Sequence, residues 1–164
     1  MSLLRFASLL VLALWVGGLA TLGFLAAPEI FGVLELHDPE SGRALAAEVF
    51  GAVFQRFQHV AWGLGALLLA MYGTRALLGP RPRRLGLRVW TASALVAMSL
   101  AAGLVIAPRI ESIRAATNGP VAGLPDGDAR KTEFGRLHGL SNVLMLVTLL
   151  AGAGLMWTEM RDPH

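Results

Sequence analysis

The sequence predicts an all-α protein, a bundle of four membrane-spanning helices, on three observations. Hydrophobic residues make up 55% of the 164 and charged residues only 15%, against about 45–50% and 25% in soluble domains. Four apolar stretches approach or exceed the roughly 20 residues needed to cross a hydrocarbon core of about 30 Å. Short segments rich in charge, glycine and proline separate them. No water inside a bilayer satisfies bare backbone, so such stretches must be helical. The length suits a single domain, residues 1–164.

The first span runs from about Leu3 to Ala27, with Arg5 as its one charge. Its apolar run exceeds the h-region of a signal peptide, about 7–15 residues, so it is expected to be retained. The second runs from about residue 60 to 78 and meets Gly79-Pro80, a helix stop. The third runs from about 87 to 107 and meets Pro108. The fourth runs from about 139 to 158. Arg75 and Arg88 lie at span ends and are expected to snorkel to the headgroups. Trp90 and Trp157 suit an interfacial belt.

Charge sets the expected orientation. Arg75, Arg81, Arg83, Arg84 and Arg88 surround the short second connection, which has no acid. The first connection, 29–56, sets Arg43 and Arg56 against Glu29, Glu35, Asp38, Glu40 and Glu48. The third, 109–136, holds five basic and four acidic residues. The positive-inside rule then puts residues 79–86 and both termini in the cytoplasm (N-in, C-in) and the long connections outside. Thirteen arginines to one lysine fit a GC-rich bacterial genome, hence a multi-pass protein of a bacterial inner membrane.

Both outer connections carry helical extensions of the spans. After Pro39, residues 41–58 have helix-forming composition with an apolar stripe at Leu45, Val49, Ala52 and Val53, and Ser41 as candidate N-cap. They should run into the second span as one helix. Residues 109–116 continue the third span past its proline, 117–128 read as a mobile turn-rich segment, and a helix starts near Asp128. Leu25-Ala26-Ala27-Pro28-Glu29-Ile30 and Val105-Ile106-Ala107-Pro108-Arg109-Ile110 share a pattern. Each half reads span, Ala-Pro, outer helix, histidine, span, which suggests a parallel two-fold repeat.

His59 and His138 open the second and fourth spans at similar depth. His138, Ser141, Asn142, Met145 and Thr148 share one helical face. Gln55, Gln58, His59 and Trp62 share another, and Trp15, Gly18 and Thr21 a third, with Gly17, Gly18 and Gly23 admitting close neighbours. Polar side chains in a span face the bundle interior, so these faces should converge on one outward-opening site. Two imidazoles from facing helices are candidate ligands for haem b or a transition metal. Glu29, Glu48 and Glu133 are the nearby acids. Trp15, Glu29, Gln58, Trp62, Arg109, Ser141 and Asn142 are candidate substrate or supporting residues, and Glu29 and Arg109 a candidate interfacial pair. The blander reading is that His, Gln and Asn only bridge helices by hydrogen bonds of about 0.6–2 kcal/mol. Met98, Met145, Phe6 and Phe24 read as packing rather than copper ligands.

Several classes fall away. The chain has no cysteine, so it has no disulfide or thiolate chemistry. Its basic residues sit at helix ends rather than in an aromatic-laced stripe, against nucleic acid. No nucleophile–base set, phosphate loop or HExxH motif is present, so no enzymatic activity is expected.

Phe134-Gly135-Arg136-Leu137-His138-Gly139-Leu140-Ser141-Asn142 resembles the F-x-x-x-H-G-x-S-x motif of the transmembrane protein 205-like family. Trp15-Val16-Gly17-Gly18, Phe57-Gln58-His59 and Ala107-Pro108-Arg109 extend the resemblance over most of the chain. It implies a four-helix membrane protein without a defined substrate, with a eukaryotic relative linked to platinum-drug resistance and vesicular export. The shorter third connection departs from that eukaryotic pattern. Three functional readings follow: a haem- or metal-binding protein using His59 and His138, a small-solute carrier or exporter, and an accessory subunit of a larger membrane complex or homo-oligomer.

Overall fold

The computed structural model describes residues 3–78, 84–117 and 120–161. Gly79-Pro80, Arg81 and Arg83 lie outside them. Four continuous helical rods, Leu3–His37, Gly42–Leu78, Leu85–Ala115 and Ala129–Met160, are each long and apolar enough to cross a membrane. We label their α-helical parts α1 (Leu3–Thr21), α2 (Ala27–His37), α3 (Gly42–Leu78), α4 (Leu85–Ala101), α5 (Ala107–Ala115) and α6 (Ala129–Met160). No strand occurs among the described residues. Helix α1 packs on α3 and α6, and α4 packs on the same two, so the spans stand as the corners of a square. Leu12, Trp15, Ala61, Leu68, Tyr72, Ala92 and Leu95 fill its centre, while Leu10, Phe24, Leu67, Val105 and Leu150 are exposed along its flanks, as lipid contact requires.

Neither proline stops its helix: the continuation past Pro108 was expected, and the one past Pro28 was not. Five-residue π-helical turns, Leu22–Ala26 and Ala102–Ile106, join α1 to α2 and α4 to α5. A proline inside a regular α-helix loses one hydrogen bond and drives its ring into the carbonyl four residues back. The π turn widens the coil by one residue just before Pro28 and Pro108, and the N–H groups of Ala27 and Ala107 donate to Leu22 O and Ala102 O. Such bulges often mark functional sites. The first connection therefore shrinks to a tight turn over 38–41. There Asp38 Oδ1 accepts from the Glu40 and Ser41 amides, each at 3.0 Å, and the Ser41 hydroxyl donates to Asp38 Oδ2. Ser41 thus turns back to Asp38 instead of capping α3, and those bonds hold the Asp38 carboxyl below the usual carboxylate range.

The rods outreach a bilayer. The first, 35 residues, is about 52 Å long at 1.5 Å per residue, against a core of about 30 Å. The surplus lies at the end with the two long connections and forms a helical headpiece. Phe31, Phe50 and Phe54 meet in series within it, Phe31 tilted against Phe50 at 6.5 Å and Phe50 stacked on Phe54 at 5.9 Å. The described part of the turn-rich segment is anchored there: Val121 is buried, and Lys131 Nζ donates to Leu124 O at 3.0 Å and Asp126 at 2.8 Å.

Helix α6 starts beside Asp128 as expected, and Asp128 caps it, accepting from the Arg130 amide at 2.8 Å. The Arg130 side chain first, then that amide, holds the Asp128 carboxyl below its ordinary range. A carboxyl with a depressed folded pKa contributes stability above its unfolded pKa and loses it as pH falls through the folded one. Asp128→Ala should therefore speed amide exchange over residues 129–132 at neutral pH, and the difference from the parent should vanish in acid.

At the opposite end the arginines do not snorkel. Arg75 and Arg88 are 8% and 4% exposed, and Glu159 between them 0%. Arg75 Nη1 donates to both carboxylate oxygens at 3.0 and 3.1 Å, and Arg88 Nη1 lies 3.1 Å from Oε1. Arg5 donates to the Glu159 and Met160 carbonyls at 2.8 and 2.6 Å, and Arg88 Nη2 to Thr158 O at 2.8 Å. The last carbonyls of α6 have no intrahelical donors and carry the negative end of its dipole. One carboxylate and one helix terminus thus draw in cations from α1, α3 and α4, and all four spans are clasped together.

Candidate functional site

Toward the headpiece end, side chains of all four rods line a cavity. Trp15 and Leu19 come from α1, Phe54 and Gln58 from α3, Met98, Ser99 and Ala102 from α4 and its π turn, and Ser141, Met145 and Thr148 from α6. The space open to the centre of a water-sized sphere is about 20 Å³, enough for one water molecule. The Ser99 hydroxyl donates to Gln58 Oε1 at 2.9 Å, with both residues buried. Trp62 Nε1 is buried without a hydrogen-bond partner among the described residues.

Glycines make these positions. A Cβ on Gly18 would lie 2.5 Å from the Phe57 ring, one on Gly103 2.6 Å from Trp62, and one on Gly65 3.1 Å from Trp15. The aromatic rings therefore occupy notches cut into neighbouring helices. Gly23, inside the first π turn, similarly admits the Met145 methyl, 3.1 Å from where its Cβ would stand. Gly17 has nothing within 4 Å and plays no such part. The second π turn supplies Ala102 directly, so both irregular turns abut the cavity.

Of the residues expected at one site, Trp15, Gln58 and Ser141 line this cavity, joined by Met145 and Thr148 from the same predicted face. His59 and His138 do not line it. Both are exposed. The His59 ring stands edge-on to Trp62 at 5.0 Å, and the His138 ring stacks on Phe134 at 6.0 Å, each within its own helix. Asn142 and Glu29 are also exposed. Arg109 pairs with Glu133 at 2.8 Å rather than with Glu29, a half-exposed contact of the kind worth about 0–1 kcal/mol. No group of three or more His, Asp or Glu able to hold a metal gathers among the described residues. Sequence reasoning missed Ser99 and the Glu159 clasp. A signal for the clasp existed: Glu159 and Asp162 are the only acids in the segments that border the termini and the second connection, where arginines abound.

Residues 10–118 match the model of a family described as a domain of unknown function, DUF4149. No curated protein and no solved structure matches the chain. The matched stretch includes Trp15, Gln58, Trp62 and Ser99 and ends before His138 and Ser141.

Proposed function

From the premise that the chain belongs to the DUF4149 family, we propose that it is a multi-pass membrane protein that binds a small polar solute between its four helices and passes it across the bilayer. One observation carries the reading. Polar side chains of α3, α4 and α6 meet on a single cavity, which Trp15 of α1 also lines. In a span a polar group without a partner is costly, so polar groups gathered around open space favour a guest that completes their bonds. The two π turns beside the cavity support passage as well as binding. A widened coil exchanges hydrogen bonds with a regular one at small cost, which would let Ala102 and the Gly23–Met145 contact shift and enlarge the one-water space to admit a solute of the size of urea.

The haem or metal reading rests on His59 and His138 alone. The exposure of both rings favours the cavity over them. In orientation we infer that the clasped end faces the cytoplasm, because Arg5, Arg75, Arg84, Arg88 and Arg161 all lie there. The 80-residue offset between the π turns and between Pro28 and Pro108 supports a parallel repeat.

Osmotic re-swelling of proteoliposomes tests the function, with urea and glycerol as probes. Vesicles holding the protein should re-swell faster than empty ones, and Gln58→Leu should slow the protein-dependent rate by about tenfold through loss of one buried hydrogen-bonding group. A rate equal to that of empty vesicles for both solutes would withdraw the proposal.

A further inference from the structure

At the clasped end, α4 and α6 diverge and leave a groove of about 720 Å³ lined by Arg84, Arg88 and Thr91 on one side and Trp157, Thr158 and Arg161 on the other. Arg84 precedes α4 in the left-handed conformation, φ 60°, and is exposed. The Arg161 guanidinium lies 4.2 Å from the Trp157 ring centroid, a cation–π contact that fixes it at the groove's rim. Arg88 forms the floor, joined to Glu159 and Thr158 O. Behind the floor Arg75 meets the same carboxylate and Arg5 the Glu159 and Met160 carbonyls, so three guanidinium groups gather around one carboxylate and the clasp keeps a net positive charge. The first amides of α4 add the positive end of its dipole.

We propose that this groove holds one anionic phospholipid, its phosphate between Arg84 and Arg161 and an acyl chain descending past Thr91 and Ala151. Charge complementarity asks for an anion, and the depth of the groove selects a lipid over a soluble one. Its wall descends along α6 from Arg161 to Ala151, about 15 Å at 1.5 Å per residue, and so passes from headgroup level into the apolar span. Trp90 and Leu87, 78% and 57% exposed, stand at the same level, where an aromatic side chain meets the bilayer surface. Basic pockets between spans recognise phosphate headgroups in this way.

Native mass spectrometry of the protein in detergent, with phosphatidylglycerol and phosphatidylcholine added in equal amounts, tests this. The protein should retain one phosphatidylglycerol in preference to phosphatidylcholine. Removing each exposed guanidinium in the Arg84→Ala, Arg161→Ala double variant should weaken retention about fivefold, on the order of 1 kcal/mol apiece. The Arg56→Ala, Arg136→Ala variant, altered at the headpiece end, should retain the lipid as the parent does. Equal retention of the two lipids, or equal loss in both double variants, would overturn the proposal. Inorganic phosphate at millimolar concentration that displaces the lipid completely would assign the groove to a soluble anion and overturn it too. Urea and glycerol flux does not enter this measurement, so the cavity and the groove fail independently.

Discussion

Glu159→Ala is expected to be the most damaging single substitution in the protein, lowering its unfolding free energy by about 3–5 kcal/mol, the usual cost of stripping one partner from a buried ionic group. The carboxylate is wholly buried and is met by Arg75 and Arg88 within 3.1 Å. Without it Arg75 loses both of its hydrogen bonds to the carboxylate and Arg88 loses its ion pair, in a poorly solvated site. Arg75→Ala should cost less, because Arg88 still neutralises the acid. Glu159→Gln should fall between parent and alanine, since the amide preserves shape and one acceptor. Thermal unfolding in a mild detergent orders the variants. An alanine variant that melts with the parent would mean that the arginines reach water unaided and that the clasp holds nothing.

The second large effect is expected at Gly42, where the chain enters α3. A Cβ there would stand 2.1 Å from Leu34 O and 2.6 Å from Leu34 C. These are backbone atoms at the end of α2 and cannot swing aside. Gly42→Ala should therefore cost at least the 1–3 kcal/mol typical of overpacking, and it should open the 38–41 turn to proteolysis. Gly17→Ala supplies the control. Nothing lies within 4 Å of its added methyl, and alanine favours a helix interior over glycine by up to about 1 kcal/mol. Equal melting temperatures for the two variants would show that the close approach at Gly42 is not needed.

Much of the fold was legible because a bilayer makes simple demands. Apolar length alone located four spans, and the stripe from Leu45 to Val53 announced that the outer helix and second span form one rod. The start of α6 near Asp128 was readable from the end of the turn-rich stretch. Pro28 misled because proline is a breaker in a regular helix, and nothing local announces that the turn before it, or before Pro108, will widen to accept it. The cavity was legible through Gln58 and Ser141, whose faces were polar at helical spacing. The histidines shared those spacings, yet one position around the helix separates Gln58 from His59, about 100°, and buried became exposed. Glu159 escaped because a terminal acid beside a tryptophan looks like an ordinary membrane-edge residue. Only the meeting of four chain segments, far apart in sequence, makes it central.

The π turns carry a consequence for how surfaces are presented above the membrane. One inserted residue advances every later side chain by about 100° around the helix axis. Beyond Leu22–Ala26 and Ala102–Ile106, the headpiece faces are therefore out of phase with the spans that support them. Arg109, which meets Glu133 at 2.8 Å, and Arg114, which lies 5.6 Å from the centre of the Phe134 ring, both stand beyond that advance. Counting, rather than side-chain chemistry, decides which flank of the headpiece looks inward, and inward and outward surfaces can diverge on the two sides of each turn.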